Sequence, residues 1–406
     1  MLIEKDIAEL IVGHYVVKIT QQEGNFSLTA AGHIKSGAVI ELLSSKKVYR
    51  VLIDDSKTLI KKAIPAPMTL GHISADTAKA LSPTEKKTTP HQKLHKELTQ
   101  AKEIFNESKA IQKKLFADAL SGSTLHLSPV VEVTNKSIDA IFNNPDSLAC
   151  MLNIRQKDEY LLEHSVAVSI YITLFARYLG LARDIIEQLS MGAFLHDIGK
   201  IKIPDNILHK PGKLTDDEFT IMKTHANHSI NIIKATPGVS TLSLEVAALH
   251  HEKLNGEGYP FQVKGEDISL YGRMISICDI FDALTATRVY KEGFNHGKAF
   301  AILRELAKQG QLDSDLVDHF IKCVGVFPVG SLVLLKSNKL ALVKARNDKD
   351  PINPQVHSFY SVNLNQFLNK EEIDLSGSED SIVKGVRAEE FALDMNKIVD
   401  MLLMEG

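Results

Sequence analysis

An adjacent histidine and aspartate, His196 and Asp197, lie inside the stretch 195–204, LHDIGKIKIP. Neighbouring side chains on a helix diverge by about 100°. Such a doublet therefore serves one centre best near a helix end, where the imidazole can hold one ion and the carboxylate, with two oxygens, can bridge two. Gly199 is expected to break the helix just afterwards, and Lys200 to place an ammonium beside the same cavity. Further candidates are His164, His225, His250, His251 and Asp279. Two adjacent imidazoles against the apolar run 246–249, and a carboxylate inside MISICDIFDAL, are costly to bury without partners. Asp282, one turn beyond Asp279, reads as support for a ligand or as a helix–helix hydrogen bond. Nitrogen and oxygen donors without thiolate suit Fe, Mn, Zn or Ni, and carboxylate-bridged pairs of such ions commonly carry out hydrolysis. His164 taken alone, on a face with Val168, Tyr171 and Phe175, would read as a core histidine. His225 is ambiguous with His228 one turn away, and either of the two can read as a surface residue. The residues by themselves point to a multi-histidine metal site with hydrolytic chemistry.

The elements that must position these groups are helices. Periodicity predicts them over about 158–179 (closed by Gly180), 183–196, 216–234, 242–251, 270–286 and 298–310, so the candidate ligands fall on five of them, as in a helical-bundle site. Thr215 with Glu218 forms a capping box for the third, whose Phe219, Met222, Ala226 and Ile230 make a stripe expected to face the core. Upstream, 15–19 and 47–53 are rich in β-branched and aromatic residues and read as strands. A Pro-, Ser-, Thr- and Lys-rich stretch over 61–90 reads as a linker. A helix over about 92–119 carries the stripe Leu94, Leu98, Ala101, Phe105, Ser108, Ile111 and Leu115. It reads either as a dimerising or signalling helix or as one packed on its own chain. After residue 327 come two strands, SLVLLKS and LALVKAR, then a polar loop and an amphipathic helix over about 388–403.

Composition narrows the function. With 47 Lys+Arg against 50 Asp+Glu the net charge is -3, so no basic field announces DNA or RNA, and an anionic substrate would need local cations or metals. The three cysteines, Cys150, Cys278 and Cys323, lack paired spacing and fit a reducing compartment. The N-terminus carries acids where a signal peptide would be apolar, and the longest apolar run, around 166–175, is too short to span a bilayer. A cytoplasmic protein without a membrane span is expected.

LHDIGKIKIPDNIL, KPGKLT, MKTH, HHEKLNGEGYP and CDIFDALTATRVYK, in that order, resemble the HD-GYP domains of bacterial cyclic-dinucleotide phosphodiesterases, a subset of the HD phosphohydrolases. The resemblance covers about 137–327. Gly258, Tyr259 and Pro260 form the signature that separates this subset from other HD enzymes. The first 120 or so residues resemble, more weakly, a small N-terminal domain of unassigned function found before some HD-GYP domains. The resemblance implies a mainly α fold, an HD-type helical bundle with a small strand-containing N-terminal domain and a short β/α C-terminal segment. The domains would be 1–65 (strand-rich), 66–125 (linker and amphipathic helix), 126–327 (catalytic) and 328–406 (extension).

It also implies metal ligands at His164, His196, Asp197, His225, His250, His251 and Asp279, with Asp197 bridging. Lys200 would contact the phosphate or the attacking water, Arg288 and Lys291 would hold phosphate and guanine, and Asp158 would meet a guanine edge. Some members carry a glutamate four residues before the first histidine that contributes to a third metal. Here that position is Tyr160, and Glu159 and Glu163 are rotated from the His164 face by about 140° and 100°. Two divalent ions are therefore expected, Fe or Mn foremost, with Ni or Zn also suited. Asn255 stands where an aspartate is usual, and Val289 where a proline is usual, both on the substrate side. The implied activity is hydrolysis of cyclic di-GMP to linear pGpG, with a further step to GMP if the product rebinds. Cleavage of 3′,3′-cyclic GMP-AMP is the near alternative. Two other readings are a module that binds cyclic dinucleotides or recruits partners such as diguanylate cyclases without catalysis, and a generic HD enzyme for mononucleotides.

Overall fold

The computed structural model of the chain describes residues 2–7, 10, 15–24, 31–34, 40, 43–54, 90–153, 160–287, 292–347 and 349–399. The chain divides into two units, Met1–Met68 and Thr69–Gly406. The first is a four-stranded antiparallel sheet of β1 (Leu2–Asp6), β2 (Tyr15–Gln22), β3 (Gly32–His33) and β4 (Val48–Asp54), in the order β1-β4-β2-β3. Alternation in β4 turns Val48, Val51 and Ile53 inward, where they meet Val16 and Leu43. The strands expected at 15–19 and 47–53 are present; most of the linker expected over 61–90 lies outside the described residues.

The second unit begins with the helices α1 (Pro90–Ser121), α2 (Ser128–Asn143), α3 (Pro145–Met151), α4 (Tyr160–Tyr178) and α5 (Arg183–Leu195). A 3-10 turn, Ile198–Lys202, leads to α6 (Asp205–Leu208), α7 (Asp216–Lys234), α8 (Thr241–Leu249), α9 (Leu270–Thr285), α10 (His296–Lys308) and α11 (Ser314–Val324). Every residue of α4 from Glu163 to Ala176 is buried, so α4 is the central rod of the bundle. Helix α5 lies along it, α8 lies along α5, and α9 packs on both α4 and α8. Helix α7 closes the group against α8 and the 3-10 turn. This is the mainly α fold expected.

The capping box holds as expected: the Glu218 amide donates to Thr215 Oγ1, the Thr215 amide donates to Glu218 Oε2, and α7 spans Asp216–Lys234. Helix α1 buries Leu98, Ala101, Phe105, Ser108 and Leu115 against α2, α3 and α4 of its own chain, which follows the self-packing reading of its stripe. One member of the α7 stripe departs from expectation. Ala226 and Ile230 are buried, but Phe219 is 46% exposed, because the first turns of α7 project past the bundle to the rim of a cavity.

The C-terminal segment is richer in structure than a pair of strands, a loop and a helix. Strands β5 (Leu332–Leu335) and β6 (Lys339–Ala345) are joined by β7 (Gln355–Ser361), β8 (Gln366–Asp374) and β9 (Ile382–Val386) in an antiparallel sheet of order β8-β7-β6-β5-β9. Where a polar loop is expected, β8, QFLNKEEID, is a charged edge strand with most of its side chains in solvent. Ala388–Phe391 is a 3-10 turn ended by Ala392 at φ 54°, so the final helix, α12 (Met395–Val399), starts later than expected. Among the described residues no helix is long and apolar enough to cross a membrane.

Candidate metal centre

Helix ends assemble the site. His196 caps the C-terminus of α5, and Asp197, at φ -103° and ψ 8°, turns the chain into the 3-10 segment. His250 caps α8 in the same way, and His251 follows it. Because the helix stops at each doublet, two adjacent side chains can face one centre. His164 comes from the second turn of α4, His225 from the middle of α7 and Asp279 from α9. Six of these groups are 0–5% exposed, among them both carboxylates, and the His251 side chain, at 22%, forms the mouth.

The two oxygens of Asp197 face different histidines. Oδ2 lies 3.4 Å from Nε2 of both His164 and His196, while Oδ1 lies 3.3 Å from His225 Nε2 and 3.8 Å from His250 Nε2. Asp279 spans the same gap, with Oδ1 3.0 Å from His164 Nε2 and Oδ2 3.4 Å from His251 Nδ1. The donors form two groups, His164–His196–Asp197 and Asp197–His225–His250–His251, whose atoms lie within 4.8 Å of one another in each group. Asp197 is common to both.

Three imidazoles are locked by their own helices. Nδ1 of His196, His225 and His250 donates to the carbonyls of Ala193, Met222 and Ala247 at 2.6, 2.7 and 2.7 Å. A carbonyl can only accept, so Nδ1 carries the proton and Nε2 presents its lone pair inward. His164 is oriented from the next helix: its Nδ1 is 2.7 Å from Asp282 Oδ2, a carboxylate that is fully buried. Asp282 thus makes the supporting helix–helix hydrogen bond expected of it.

The protonation states suit ligation. Burial pushes the imidazoles down, to about 4 for His225, about 3 for His251 and well below the usual value for His250. Burial alone would raise Asp197, but Lys200 and then His196 and His225 hold it well below the usual carboxylate range. Burial would likewise raise Asp279, and the neighbouring imidazoles, His164 foremost at 3.0 Å, hold it well below the usual carboxylate range. His164 is the exception: burial pulls it down, yet Asp279 and Asp282 prevail and raise it to about 9. A proton and a cation would compete for its Nε2.

Two buried atoms inside the cluster, His196 Nε2 and Asp197 Oδ1, have no hydrogen-bond partner. Buried polar atoms are rarely left unpaired, and neutral imidazoles with ionised carboxylates are what a divalent cation binds. The residues fit a metal.

Lys200 is also at the centre, its Nζ 2.5 Å from Asp197 Oδ2 and its side chain 16% exposed. Arg288, Lys291 and Asp158 lie outside the described residues. Tyr160, in the position of the third-metal glutamate, stacks its ring 5.5 Å from His164, while Glu163 turns away to pair with Lys109 of α1 at 3.2 Å. Beside the cluster, a cavity of about 280 Å³ is lined by Phe219, Lys223, His250, His251, Tyr259 and Gln262. A larger cavity of about 380 Å³ lies between α9, α10 and the C-terminal sheet, and none of the cluster's donors lines it.

Comparison with known proteins agrees with this geometry. Residues 149–316 match the family model of the HD domain, and residues 2–130 match a domain of unknown function (DUF3391). The chain is 32% identical over 356 residues to the cyclic di-GMP phosphodiesterase PA4108 of Pseudomonas aeruginosa, covering 86% of this chain and 83% of that one. The chain belongs to the HD-GYP phosphodiesterase family. It is also 38% identical over 212 residues to a cyclic di-GMP phosphodiesterase of Vibrio cholerae, covering 50% of this chain and 42% of the relative. To the 3′3′-cGAMP-specific phosphodiesterase 2 of the same organism it is 36% identical over 168 residues, covering 41% and 31%.

In this HD-GYP phosphodiesterase the signature loop is fastened by a residue that motif reading passed over. Glu252, 2% exposed, accepts from the amides of Phe261 at 2.7 Å and Gln262 at 3.1 Å. An acid directly after two metal-ligand candidates was the available signal. Gly258 packs so closely that a Cβ would lie 2.5 Å from Glu252 Cα and 2.7 Å from His251 O. The loop is thereby pressed onto the histidine pair, and the Tyr259 ring sits 4.6 Å from that of His251. Asn255, where an aspartate is usual, is engaged within the loop, its Nδ2 donating to Glu257 Oε2 at 2.8 Å.

Proposed function

We propose that the chain is a metal-dependent phosphodiesterase for cyclic dinucleotides that opens cyclic di-GMP to linear pGpG. The observation that carries this reading is the placement of the Asp197 oxygens, each toward a different set of imidazoles. His164, His196 and Asp279 would hold one divalent ion and His225, His250 and His251 the other, with Asp197 between them. Fe and Mn suit this donor set best, and Ni and Zn also fit. When bound, such ions supply Lewis-acid charge to a phosphodiester and make water acidic near neutral pH.

The protein's own groups do the rest. The Nδ1 anchors fix the imidazoles before substrate arrives, so little reorganisation is needed during reaction. Lys200 keeps a cation at the rim of the centre, where it stabilises the extra negative charge of the pentavalent transition state and that developing on the leaving 3′-oxygen. Asp158, Arg288 and Lys291 are assigned to guanine and phosphate through the motif match. The relatives named for 3′3′-cGAMP favour that dinucleotide as a second substrate, since the two differ at one base edge.

The test is to incubate metal-loaded protein with each cyclic dinucleotide and separate the products by chromatography. Conversion of cyclic di-GMP to pGpG is expected, with loss of both metal and turnover in His196→Ala/Asp197→Ala. Tight binding without turnover in Mn or Fe would overturn the enzymatic reading. Full metal content in the double variant would overturn the ligand assignment.

A further inference from the structure

The first turns of α7 carry Phe219 and Lys223, four residues apart and therefore on one face. Buried Phe side chains are worth roughly 1.5–3 kcal/mol each, yet Phe219 stays 46% exposed while Ala226, Ile230 and Ile233 of the same helix are buried. Its ring lies 6.4 Å from that of Tyr259 at an interplanar angle of 89°, and Tyr259 in turn lies against His251. The Lys223 ammonium is 5.3 Å from the Phe219 ring centre. All four residues line the cavity of about 280 Å³ that opens beside His250 and His251. An aromatic ring, a cation held over it and an adjoining histidine–aspartate cluster together match a base joined to a phosphodiester.

We propose that Phe219 and Lys223 form a nucleobase subsite, in which one purine of the substrate stacks on the Phe219 ring while its phosphodiester lies at the histidine–aspartate cluster. Tyr259, perpendicular to Phe219, walls the subsite on the loop side. On binding, the Lys223 ammonium swings on its flexible stem from over the Phe219 ring to the polar edge of the stacked base, where guanine presents the O6 and N7 acceptors. The inference rests on the cyclic-dinucleotide reading and adds a residue that sets affinity for the base.

The chain contains no tryptophan and nine tyrosines, so Phe219→Trp creates a single tryptophan in the subsite, read by excitation selective for indole over phenol. In the full-length, metal-loaded variant, a slowly cleaved phosphorothioate analogue of cyclic di-GMP is expected to quench emission saturably, with the dissociation constant found by calorimetry. Stacking on an aromatic side chain supports a loss of roughly tenfold on truncation. Phe219→Ala should therefore raise KM for cyclic di-GMP about tenfold, and Phe219→Trp should recover most of it. Calorimetric binding with unchanged emission, or a wild-type KM in Phe219→Ala, would overturn the subsite and leave the phosphodiesterase reading intact. A wild-type protein that neither binds nor cleaves any cyclic dinucleotide would remove that reading first, and the subsite with it.

Discussion

Gly199→Ala tests how closely the two halves of the centre are held. An ideal Cβ on Gly199 would lie 2.2 Å from the His225 carbonyl oxygen, 2.3 Å from the Ser229 amide nitrogen and 2.8 Å from Ser229 Oγ, where ordinary contact begins at 3.4 Å. Two of these atoms are backbone of α7 and cannot swing aside, so the 3-10 turn must retreat by about 1 Å. Asp197 is two residues away on that turn, and its Oδ1 sits 3.3 Å from His225 Nε2. Metal–ligand distances hold to about 0.2 Å, so a retreat of that size detaches Asp197 from one of the two ligand groups. Misplacement by about 1 Å costs on the order of 100-fold in rate, or about 2.7 kcal/mol in the barrier. Overpacking itself costs about 1–3 kcal/mol of stability, so the assay must separate the two effects. Gly180→Ala provides the comparison: Gly180 has φ +70° and nothing within 4 Å of a built Cβ, so its variant is strained by about 1–2 kcal/mol without moving the site. Metal content by mass spectrometry, cyclic di-GMP turnover and thermal melting are measured on both. Gly199→Ala should lose about half or more of its metal and about 100-fold in kcat/KM, while Gly180→Ala should lose only melting temperature. Full metal content with kcat/KM within about threefold of wild type in Gly199→Ala would refute the reasoning.

Asp282→Asn removes the charge that orients His164 from α9; loss of such an outer partner typically weakens metal binding about 10- to 100-fold, which chelator competition would register. In the C-terminal sheet, hydrogen bonds from Lys344 and then His357 lower the Glu372 pKa from 4.5 to about 2. A depressed folded-state pKa gives stability that is present above 4.5 and lost as the pH falls toward 2. Because the Glu372 side chain is 61% exposed, solvent screening keeps the effect small. Glu372→Gln should lower the urea midpoint slightly at pH 7 and flatten its fall between pH 4.5 and 2; an unchanged slope there would exclude the pair as its source.

The clustering of these residues was legible because each sits in a local pattern that only a few arrangements satisfy. Adjacent His–Asp and His–His pairs at predicted helix ends, and an aspartate inside an apolar run, all required partners. The capping box at Thr215 and Glu218 placed the start of α7 correctly for the same reason: it is a contact between near neighbours in the chain. Features that depend on what lies opposite were not legible. Periodicity groups Phe219 with Met222, Ala226 and Ile230, but nothing in a single helix says that its first turns overhang a cavity. Gly199 was expected to break a helix; its φ is not in the left-handed region, and what requires glycine there is the approach of the His225 carbonyl. Glu252 is held by the amides of Phe261 and Gln262, partners nine and ten residues further on. Strand β8 is polar because it is an edge, a fact about its neighbours rather than its own residues.

Helix α1 illustrates why similarity and mechanics need not divide a chain at the same place. The model of the domain of unknown function extends to residue 130 and so takes in α1, yet α1 is packed on α2, α3, α4 and the 3-10 turn that follows Asp197. Its Lys109, with a side chain 15% exposed, pairs with Glu163, 2% exposed, at the position just before His164. Removing one partner of a buried pair leaves an uncompensated charge worth about 3–5 kcal/mol. The helix is thus tied by charge as well as by apolar contact to the element that carries His164, the first candidate ligand. A displacement of α1 would be opposed at Glu163 and at the 3-10 turn together, and these are the two places from which His164 and Lys200 enter the centre.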